Sequence, residues 1–506
     1  MTNPESSTQS RAEEETTAFS SAQEGCSSPT NNGRNRDQGP DARGTATETA
    51  QAPLTSVVID GQRMELGNLP ELVELDMPSD GIPSVVETDP ALKRCAAALA
   101  AGTGPAAVDT ERASGFRYGQ RAMLVQIRRE GAGTWLIDPE AFDDLKIIDE
   151  ALRGVEWILH AASQDLPCLA GVGMWPDKLF DTELAARLAG LPRVGLGAVV
   201  ESLLGYHLAK EHSAADWSKR PLPEPWLRYA ALDVEVLVDL EDELVALLEN
   251  DGKLDYAAQE FQHLIDAGVP APRVDPWRRT SGSHTIRNRV QLGAVRELWY
   301  TREKLAEHRD IAPTRLIPDT AIIAAAKGMP TTVPALLALS GFHGRAAKRD
   351  APKWLHAIQT AKNSTDQPPL QVSGNAPPPP RMWAERDVAA AARYATARPR
   401  LADLADAVNI PVENILTPDF LRRVCWRPPT QITVASVSAQ LTELGARQWQ
   451  IDLSVEILTA ALANPEPLPP KEPKTPKGQK EPKSQMVPTN QRETGAHEGT
   501  PSSEQS

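Results

Sequence analysis

Short apolar runs alternate with apolar stripes of helical period between residues 85 and 265, and this pattern predicts an α/β module. The run AAVDTE at 106–111 predicts a central strand. The runs at 123–127 and 134–138 flank the turn sequence RREGAG, which is typical of a hairpin. A strand near Val85 and a helix capped by Thr88 or Asp89 precede them. The sheet should therefore open with an antiparallel meander around AAVDTE.

The second half of this module is predicted to alternate a strand at 155–159, a helix and a strand at LFD with further helices. Ser163 is available as the N-cap of the first of these helices, which would place Asp165 in its first turn. The strongest helical pattern is EPWLRYAALDVEVLVDLEDELVALLEN at 224–250. Its apolar stripe is formed by leucines spaced at helical intervals, namely Leu237, Leu240, Leu244, Leu247 and Leu248.

The rest of the chain is predicted to consist of helical modules, linkers and tails. Residues 284–364 have a helical period interrupted by proline, and the apolar face of the first helix carries Leu292, Val295, Leu298, Trp299 and Leu305. The remaining predicted segments are a disordered N-terminal tail at 1–52, an N-terminal extension at 53–84, a Pro-rich linker at 365–382, a second helical domain at 383–464 and a disordered C-terminal tail at 465–506.

Charge divides the chain into two unlike modules, although the total is −15. Residues 85–255 carry 29 acidic and 17 basic side chains, whereas residues 278–363 carry 15 basic and 6 acidic ones. Clustered carboxylates can hold metal ions, and a basic module can attract a polyanion, although a solvated face explains either excess equally simply. We expect the basic module to capture nucleic acid.

The sequence predicts a cytoplasmic protein with no membrane segment. It has no signal peptide pattern and no run of 18 apolar residues. The four cysteines are scattered without C-x-x-C spacing, which favours reduced thiols over disulfides or a zinc site.

The candidate chemistry lies in pairs of polar residues on the predicted elements. On a strand, Asp109 and Glu111 point to the same face, where two partly buried carboxylates repel unless a divalent cation or a proton lies between them. On a helix, Tyr229 and Asp233 are one turn apart and share a face. Each feature also has a plain structural explanation: a surface D-x-E pattern, a helix-dipole contact for Asp165, and a hydrogen-bonded Tyr229–Asp233 pair.

Three segments together resemble the exonuclease motifs of the DEDD superfamily in its tyrosine-bearing form: AAVDTE, HAASQDLPCL and YAALDVEVL, with DWSKRPL at 216–222 between the last two. Within it, the chain is most similar to the RNase D family. The resemblance implies an RNase H-like fold at 85–265 and two divalent ions, Mg²⁺ or Mn²⁺. The implied metal ligands are Asp109, Glu111, Asp165 and Asp233, and the implied water-orienting residue is Tyr229.

Two further expectations follow from the resemblance. Residues 284–364 resemble an HRDC domain, and residues 383–464 would be a second, diverged domain of that kind. The chain departs from the family pattern at Arg112 and Ala113, where a larger apolar residue is frequent, and this bears on how the terminal nucleotide fits.

The expected function is hydrolysis of RNA from the 3′ end, by a two-metal mechanism, on tRNA precursors or other RNA with single-stranded 3′ ends. Two alternatives stay open: a DNA exonuclease in repair, and a non-catalytic scaffold that binds nucleic acid. The presence of all four acids and of Tyr229 counts against the scaffold. The sequence leaves the oligomeric state open.

Overall fold

The computed structural model describes residues 56–59, 62–65, 72–209, 212, 214–372 and 374–468. Its centre is a six-stranded mixed sheet. The strands are β4 (Val85–Val86), β5 (Thr103–Arg112), β6 (Ala122–Glu130), β7 (Gly133–Ile137), β8 (Glu156–Leu159) and β9 (Lys178–Asp181). Their order across the sheet is β4-β7-β6-β5-β8-β9. The fold class predicted from the sequence, a mixed sheet flanked by helices and followed by helical bundles, is confirmed.

The predicted meander is present, because β5, β6 and β7 pair antiparallel in sequence order. Gly131, in the tight turn between β6 and β7, and Gly133, the first residue of β7, adopt positive φ angles of 77° and 73°, a conformation that glycine reaches without steric cost. The later strands join in parallel, β5 with β8 and β8 with β9. This arrangement places AAVDTE in the interior of the sheet.

Helices cover both faces of this sheet and make the α/β module, which we define as residues 72–267. They are α1 (Asp89–Ala101), α2 (Lys146–Ala151), α3 (Leu166–Gly171), α4 (Thr182–Leu188), α5 (Leu196–Leu203), α6 (Glu224–Glu235), α7 (Leu237–Asn250) and α8 (Leu254–Ala267). The sheet residues Val108, Val125 and Ile127 lie in one apolar core with Leu99 and Leu240. Burial of these side chains is the main stabilising term for the module.

Two local predictions in this module are corrected by the structure. Ser163 does not cap the helix of the second motif, because residues 162–164 form a 3-10 turn and Asp165 is itself the residue before α3. The single helix expected at 224–250 is two helices, α6 and α7, which meet at Val236. Helix α6 contacts β5, β6 and β7, while α7 buries Leu237, Leu240, Leu244 and Leu248 in the core. Leu247, which was also predicted for this stripe, is only half-buried.

The N-terminal extension contains strands that the sequence pattern did not reveal. Strands β1 (Ser56–Ile59) and β2 (Gln62–Glu65) form an antiparallel hairpin. Strand β3 (Val73–Leu75) pairs in parallel with β10 (Tyr206–Leu208), and the paired residues are more than 130 positions apart in the sequence. The predicted disordered tail at 1–52, and all but the first four residues of the tail at 465–506, lie outside the described residues.

The first helical module, residues 276–363, follows a loop. Its helices are α9 (Arg289–Arg309), α10 (Asp319–Gly328), α11 (Val333–Leu337), α12 (Arg345–Arg349) and α13 (Ala351–Asn363). Its core extends before the predicted start at 284, because Trp277 is buried with Leu298 and Trp354. Part of the predicted linker also packs on this module, since Arg289 donates to the Pro368 carbonyl and Arg296 pairs with Asp366.

The second helical module, residues 380–463, packs directly on the α/β module. Its helices are α14 (Trp383–Arg386), α15 (Val388–Val408), α16 (Val412–Ile415), α17 (Pro418–Trp426), α18 (Val434–Glu443) and α19 (Gln448–Ala463). The Trp449 ring stacks on Tyr256 with centroids 4.9 Å apart, and its Nε1 donates to Glu260 at 2.9 Å. Trp449 and Ile410 belong to the same apolar core as the sheet, so these two modules share a buried interface.

Among the described residues, no helix combines the length and the apolar character needed to cross a bilayer.

Candidate active site

Three of the predicted ligands lie close together near the C-terminal end of the central strand, β5. One carboxylate oxygen from each of Asp109, Glu111 and Asp233 lies within 4.8 Å of the other two. Asp109 and Glu111 share a face of β5 because strand side chains alternate, and α6 crosses that face and supplies Asp233. Three oxygen donors at this spacing fit a hard divalent cation such as Mg²⁺ or Mn²⁺.

Burial and mutual repulsion raise the pKa values of these carboxyls. For Asp109, burial is the largest cause, followed by the negative charges of Asp165 and Asp233. Burial also acts first on Glu111, and it raises the pKa of Asp233 to about 7. Carboxylates held this close in a partly buried site cost free energy, which a bound cation would offset.

Tyr229 lies beside the cluster, one helical turn before Asp233. Its hydroxyl interacts with the Asp233 carboxylate, and burial together with the charges of Asp233 and Glu111 raises the pKa of the phenol. Tyr229 is therefore neutral near pH 7, and its hydroxyl can donate a hydrogen bond.

Asp165 lies next to this cluster but has its own set of partners. It is buried, accepts a 2.7 Å hydrogen bond from the Thr110 hydroxyl, and lies 3.6 Å from the Arg112 guanidinium. Its negative charge still contributes to the raised pKa values of Asp109 and Glu111. Burial raises the pKa of Asp165 itself to about 6, and the charge of Arg112 opposes that shift.

The DWSKRPL segment supports Tyr229 from the side. The ring of Trp217 is fully buried, with its centroid 6.4 Å from that of Tyr229. Arg220 anchors the segment to the sheet through Asp138 at 2.7 Å and the Met123 carbonyl at 2.8 Å. His212 approaches the edge of the Tyr229 ring at 5.9 Å. This packing fixes the orientation of the phenol.

The loop after the first motif, residues 113–121, contacts the first helical module. The Ala312 amide donates to the Phe116 carbonyl at 3.0 Å, and Arg315 donates to the Gly115 carbonyl at 2.8 Å while covering the Phe116 ring. Arg121 pairs with Asp310 at the end of α9. The end of the central strand that carries the carboxylates is therefore connected to the first helical module.

Sequence patterns identified the acids and Tyr229 but missed their supporting residues. Thr110 and Arg112 were visible only as the residues between and after the D-x-E pair, yet both contact Asp165. Alternation on β5 gives a signal that could have found them, because these two residues occupy the face opposite Asp109 and Glu111. The link from Arg121 to Asp310 spans 189 positions and has no local signature.

Comparison with family models gives three matches along the chain. A model described as a 3′-5′ exonuclease matches residues 83–249, and an HRDC domain model matches residues 291–358. A model described as a 3′ to 5′ exonuclease C-terminal domain matches residues 376–462. The last match covers the region for which the sequence predicted a second, diverged helical domain.

Individual proteins are similar over the same modules. Ribonuclease D of Gluconacetobacter diazotrophicus is 35% identical over 230 residues, which cover 44% of this chain and 58% of that protein. The match thus spans less than two thirds of that relative. Ribonuclease D of Escherichia coli (strain K12) is 33% identical over 274 residues, covering 52% of this chain and 72% of that protein.

Two solved structures share the arrangement of the modules. A crystal structure of a protein from Bifidobacterium adolescentis is 39% identical, with a TM-score of 0.70, and the match covers 78% of this chain and all of that one. The structure of Escherichia coli RNase D, described as an exoribonuclease involved in structured RNA processing, is 25% identical. Its TM-score is 0.57, with coverage of 75% of this chain and 98% of that one.

Proposed function

The chain belongs to the ribonuclease D family, and on this premise we propose that it is a cytoplasmic, metal-dependent 3′-5′ exoribonuclease. One observation carries the proposal: the Asp109, Glu111 and Asp233 carboxylates converge within 4.8 Å, beside the hydroxyl of Tyr229. A non-catalytic scaffold would gain nothing from three closely spaced, partly buried carboxylates that repel one another.

Asp109, Glu111 and Asp233 would hold the first of two divalent ions, Mg²⁺ or Mn²⁺. Asp165, which lies next to this cluster, would hold the second. When bound, such a pair supplies an activated water and neutralises charge on the phosphate and on the departing 3′ oxygen. The acids contribute the negative charge that binds these ions, and because their pKa values are raised, binding displaces protons from them.

Tyr229 would orient the attacking water. Its hydroxyl points at Asp233, and its raised phenol pKa keeps the proton on the oxygen near neutral pH. A neutral phenol can donate a hydrogen bond and accept another, which positions a water without removing its proton. The rings of Trp217 and His212 keep the phenol in place.

We propose that the substrates are RNAs with single-stranded 3′ ends, including tRNA precursors. This substrate class is supported by the solved relative from Escherichia coli, which is an exoribonuclease involved in structured RNA processing. It is also supported by the positive balance of residues 278–363, which suits capture of a polyanion. A DNA exonuclease would use the same carboxylates, so substrate choice requires a direct comparison.

That comparison uses matched RNA and DNA oligonucleotides labelled at the 5′ end, single-stranded or with a 3′ overhang on a hairpin. We expect the wild-type protein to shorten RNA stepwise from the 3′ end in Mg²⁺ and to cleave DNA more slowly. Faster cleavage of DNA would favour the repair nuclease. Binding of either polymer without any shortening, by folded protein with Mg²⁺ or Mn²⁺, would favour the scaffold.

A further inference from the structure

Arg112 contacts Gln164 and Asp165 of the second motif through the two terminal nitrogens of its guanidinium. Nη1 donates to the Gln164 carbonyl at 2.7 Å, and Nη2 lies 3.6 Å from the Asp165 carboxylate. The side chain is only 26% exposed, so these contacts are made in a partly enclosed place. A cationic side chain therefore lies against one of the four acids, at the position where the family pattern frequently has an apolar residue.

The charges around Asp165 differ from those around the other three acids. Asp109, Glu111 and Asp233 face one another, and the Arg112 charge has the smallest of the influences on the pKa values of Asp109 and Glu111. Asp165 faces a neutral hydroxyl from Thr110, and Arg112 is its main charged neighbour. A divalent ion bound to Asp165 would lie within a few ångströms of that guanidinium. A divalent and a monovalent cation about 5 Å apart repel by enough to weaken binding about tenfold even at the dielectric constant of water.

We propose that Arg112 is a positioning residue that neutralises Asp165 and sets a low affinity for the second divalent ion. The three-carboxylate position then fills first, and the position at Asp165 fills at higher concentration. The added negative charge of an RNA phosphate would offset Arg112, which makes the second ion depend on bound substrate. This inference rests on the proposed function, because it assumes that the acids bind cations.

The test is a titration of the EDTA-treated protein with Mn²⁺ alone. Isothermal calorimetry measures the heat of binding, and electron paramagnetic resonance measures the concentration of free Mn²⁺. Three variants separate charge from hydrogen bonding at residue 112. Arg112→Gln removes the charge and keeps a donor for the Gln164 carbonyl, Arg112→Met removes both, and Arg112→Lys keeps the charge. Arg128→Gln is the matched control, since Arg128 forms a 2.7 Å ion pair with Asp80, away from the four acids.

We expect the wild-type protein, Arg112→Lys and Arg128→Gln to show one tighter and one weaker Mn²⁺ site. In Arg112→Gln and Arg112→Met, the weaker dissociation constant should fall about tenfold or more, with the tighter one nearly unchanged. Mn²⁺ should also raise the melting temperature more in these two variants than in the wild type, because tighter binding stabilises the folded state more.

Each other outcome overturns the inference in a recognisable way. If all three substitutions at 112 weaken the second site, Arg112 serves to hold Asp165 in place and does not compete with the ion. If Mn²⁺ binding is unchanged but RNA binding weakens, Arg112 contacts phosphate instead. If the wild-type protein binds no Mn²⁺ at all, the proposed function itself fails, which is a different result from failure of the Arg112 role alone.

Discussion

Arg121 and Asp310 form a two-pronged ion pair between the α/β module and the first helical module, with both N–O distances at 2.8 Å. The pair joins the end of α9 to the loop that follows the Asp109–Glu111 strand. Asp310 also accepts from the Tyr118 amide at 3.3 Å. The first helical module therefore packs directly against the loop that follows the C-terminal end of β5.

We predict that Asp310→Asn loosens this docking and exposes the loop at 113–121. The ion pair is about one third exposed, so its removal should cost only about 0.5–1 kcal/mol of stability. Amide hydrogen exchange should rise in the loop and at the end of α9, and the effect of salt on exchange there should shrink. Asp366→Asn breaks the ion pair between Arg296 of the first helical module and the segment that follows that module, and it is the control. Equal exchange in the two variants would contradict the docking role.

A second prediction concerns capture of RNA by the basic module. Lys304, Lys353 and His356 line one exposed groove of about 410 Å³ between α9 and α13. The double variant Lys304→Gln/Lys353→Gln should raise KM on tRNA-like substrates and leave kcat nearly unchanged. The slope of log affinity against log salt should shrink by about 0.7 for each RNA phosphate that the variant no longer neutralises. Isotherms at several salt concentrations measure that slope.

The control for this prediction is Lys93→Gln/Arg94→Gln, which removes the same charge from exposed positions on α1. An equal loss in both doubles would mean that total charge matters and the groove does not. The basic module could also be removed by truncating the chain near Pro272, but point variants are preferable. Truncation would also remove Trp449 from Tyr256 and uncover part of the shared core.

The third prediction is that the acids destabilise the metal-free protein at alkaline pH. The pKa of Asp233 is raised to about 7 from an unfolded value near 3.9, so the carboxyl costs no stability below about pH 4, and its cost grows as the pH rises from about 4 to about 7. In EDTA, Asp233→Asn should therefore stabilise the protein by about 1–3 kcal/mol at pH 8 and by roughly half as much at pH 5.5.

Thermal or urea unfolding at the two pH values measures this difference. Asp144→Asn provides the opposite case, because the hydrogen bond from Lys146 lowers the pKa of that carboxyl. It should leave stability unchanged or slightly reduced at pH 8. If Asp233→Asn were instead destabilising at pH 8 without metal, the ionised carboxyl would be stabilising the fold, and the repulsion inferred for the cluster would be wrong.

The division between what the sequence predicts and what it misses follows the range of the interactions. Periods of two and of 3.6 residues placed Asp109 with Glu111 on β5 and Tyr229 with Asp233 on α6, because these pairs depend on local geometry. The strand at 73–75 escaped detection, since its partner is β10 and its own three residues carry no readable period. The exact limits of the modules stay predictions.

The same reasoning explains Asp165. Its segment was expected to be a capped helix turn, yet the chain enters α3 through a left-handed residue at Ala161 and a 3-10 turn. The carboxylate consequently faces Thr110 and Arg112 instead of a row of backbone amides. Only the packing of β5 against the end of β8 brings these side chains together, and no pattern within either segment encodes it.

A fourth prediction separates the role of Tyr229 from that of the ligands. Tyr229→Phe removes the hydroxyl and keeps the ring against Trp217, so turnover should fall by about 10- to 100-fold while RNA affinity stays the same. Mn²⁺ affinity at pH 8 should be nearly unchanged. The Tyr229 hydrogen bond lowers the pKa of Asp233, so this pKa should be higher in the variant. As the pH is lowered from 8, metal binding should therefore begin to weaken at a higher pH in the variant than in the wild type. Loss of metal binding at pH 8 would assign Tyr229 to the ligand set.

The most direct measurement of the central claim follows a 5′-labelled RNA with a single-stranded 3′ end during incubation with EDTA-treated protein. We predict no shortening without metal, a ladder from the 3′ end after addition of Mg²⁺ or Mn²⁺, and a loss of at least about 1,000-fold in Asp109→Asn and Asp233→Asn variants that remain folded. Undiminished shortening by the metal-depleted wild type, or by either folded variant, would contradict metal-dependent hydrolysis at the Asp109–Glu111–Asp233 cluster.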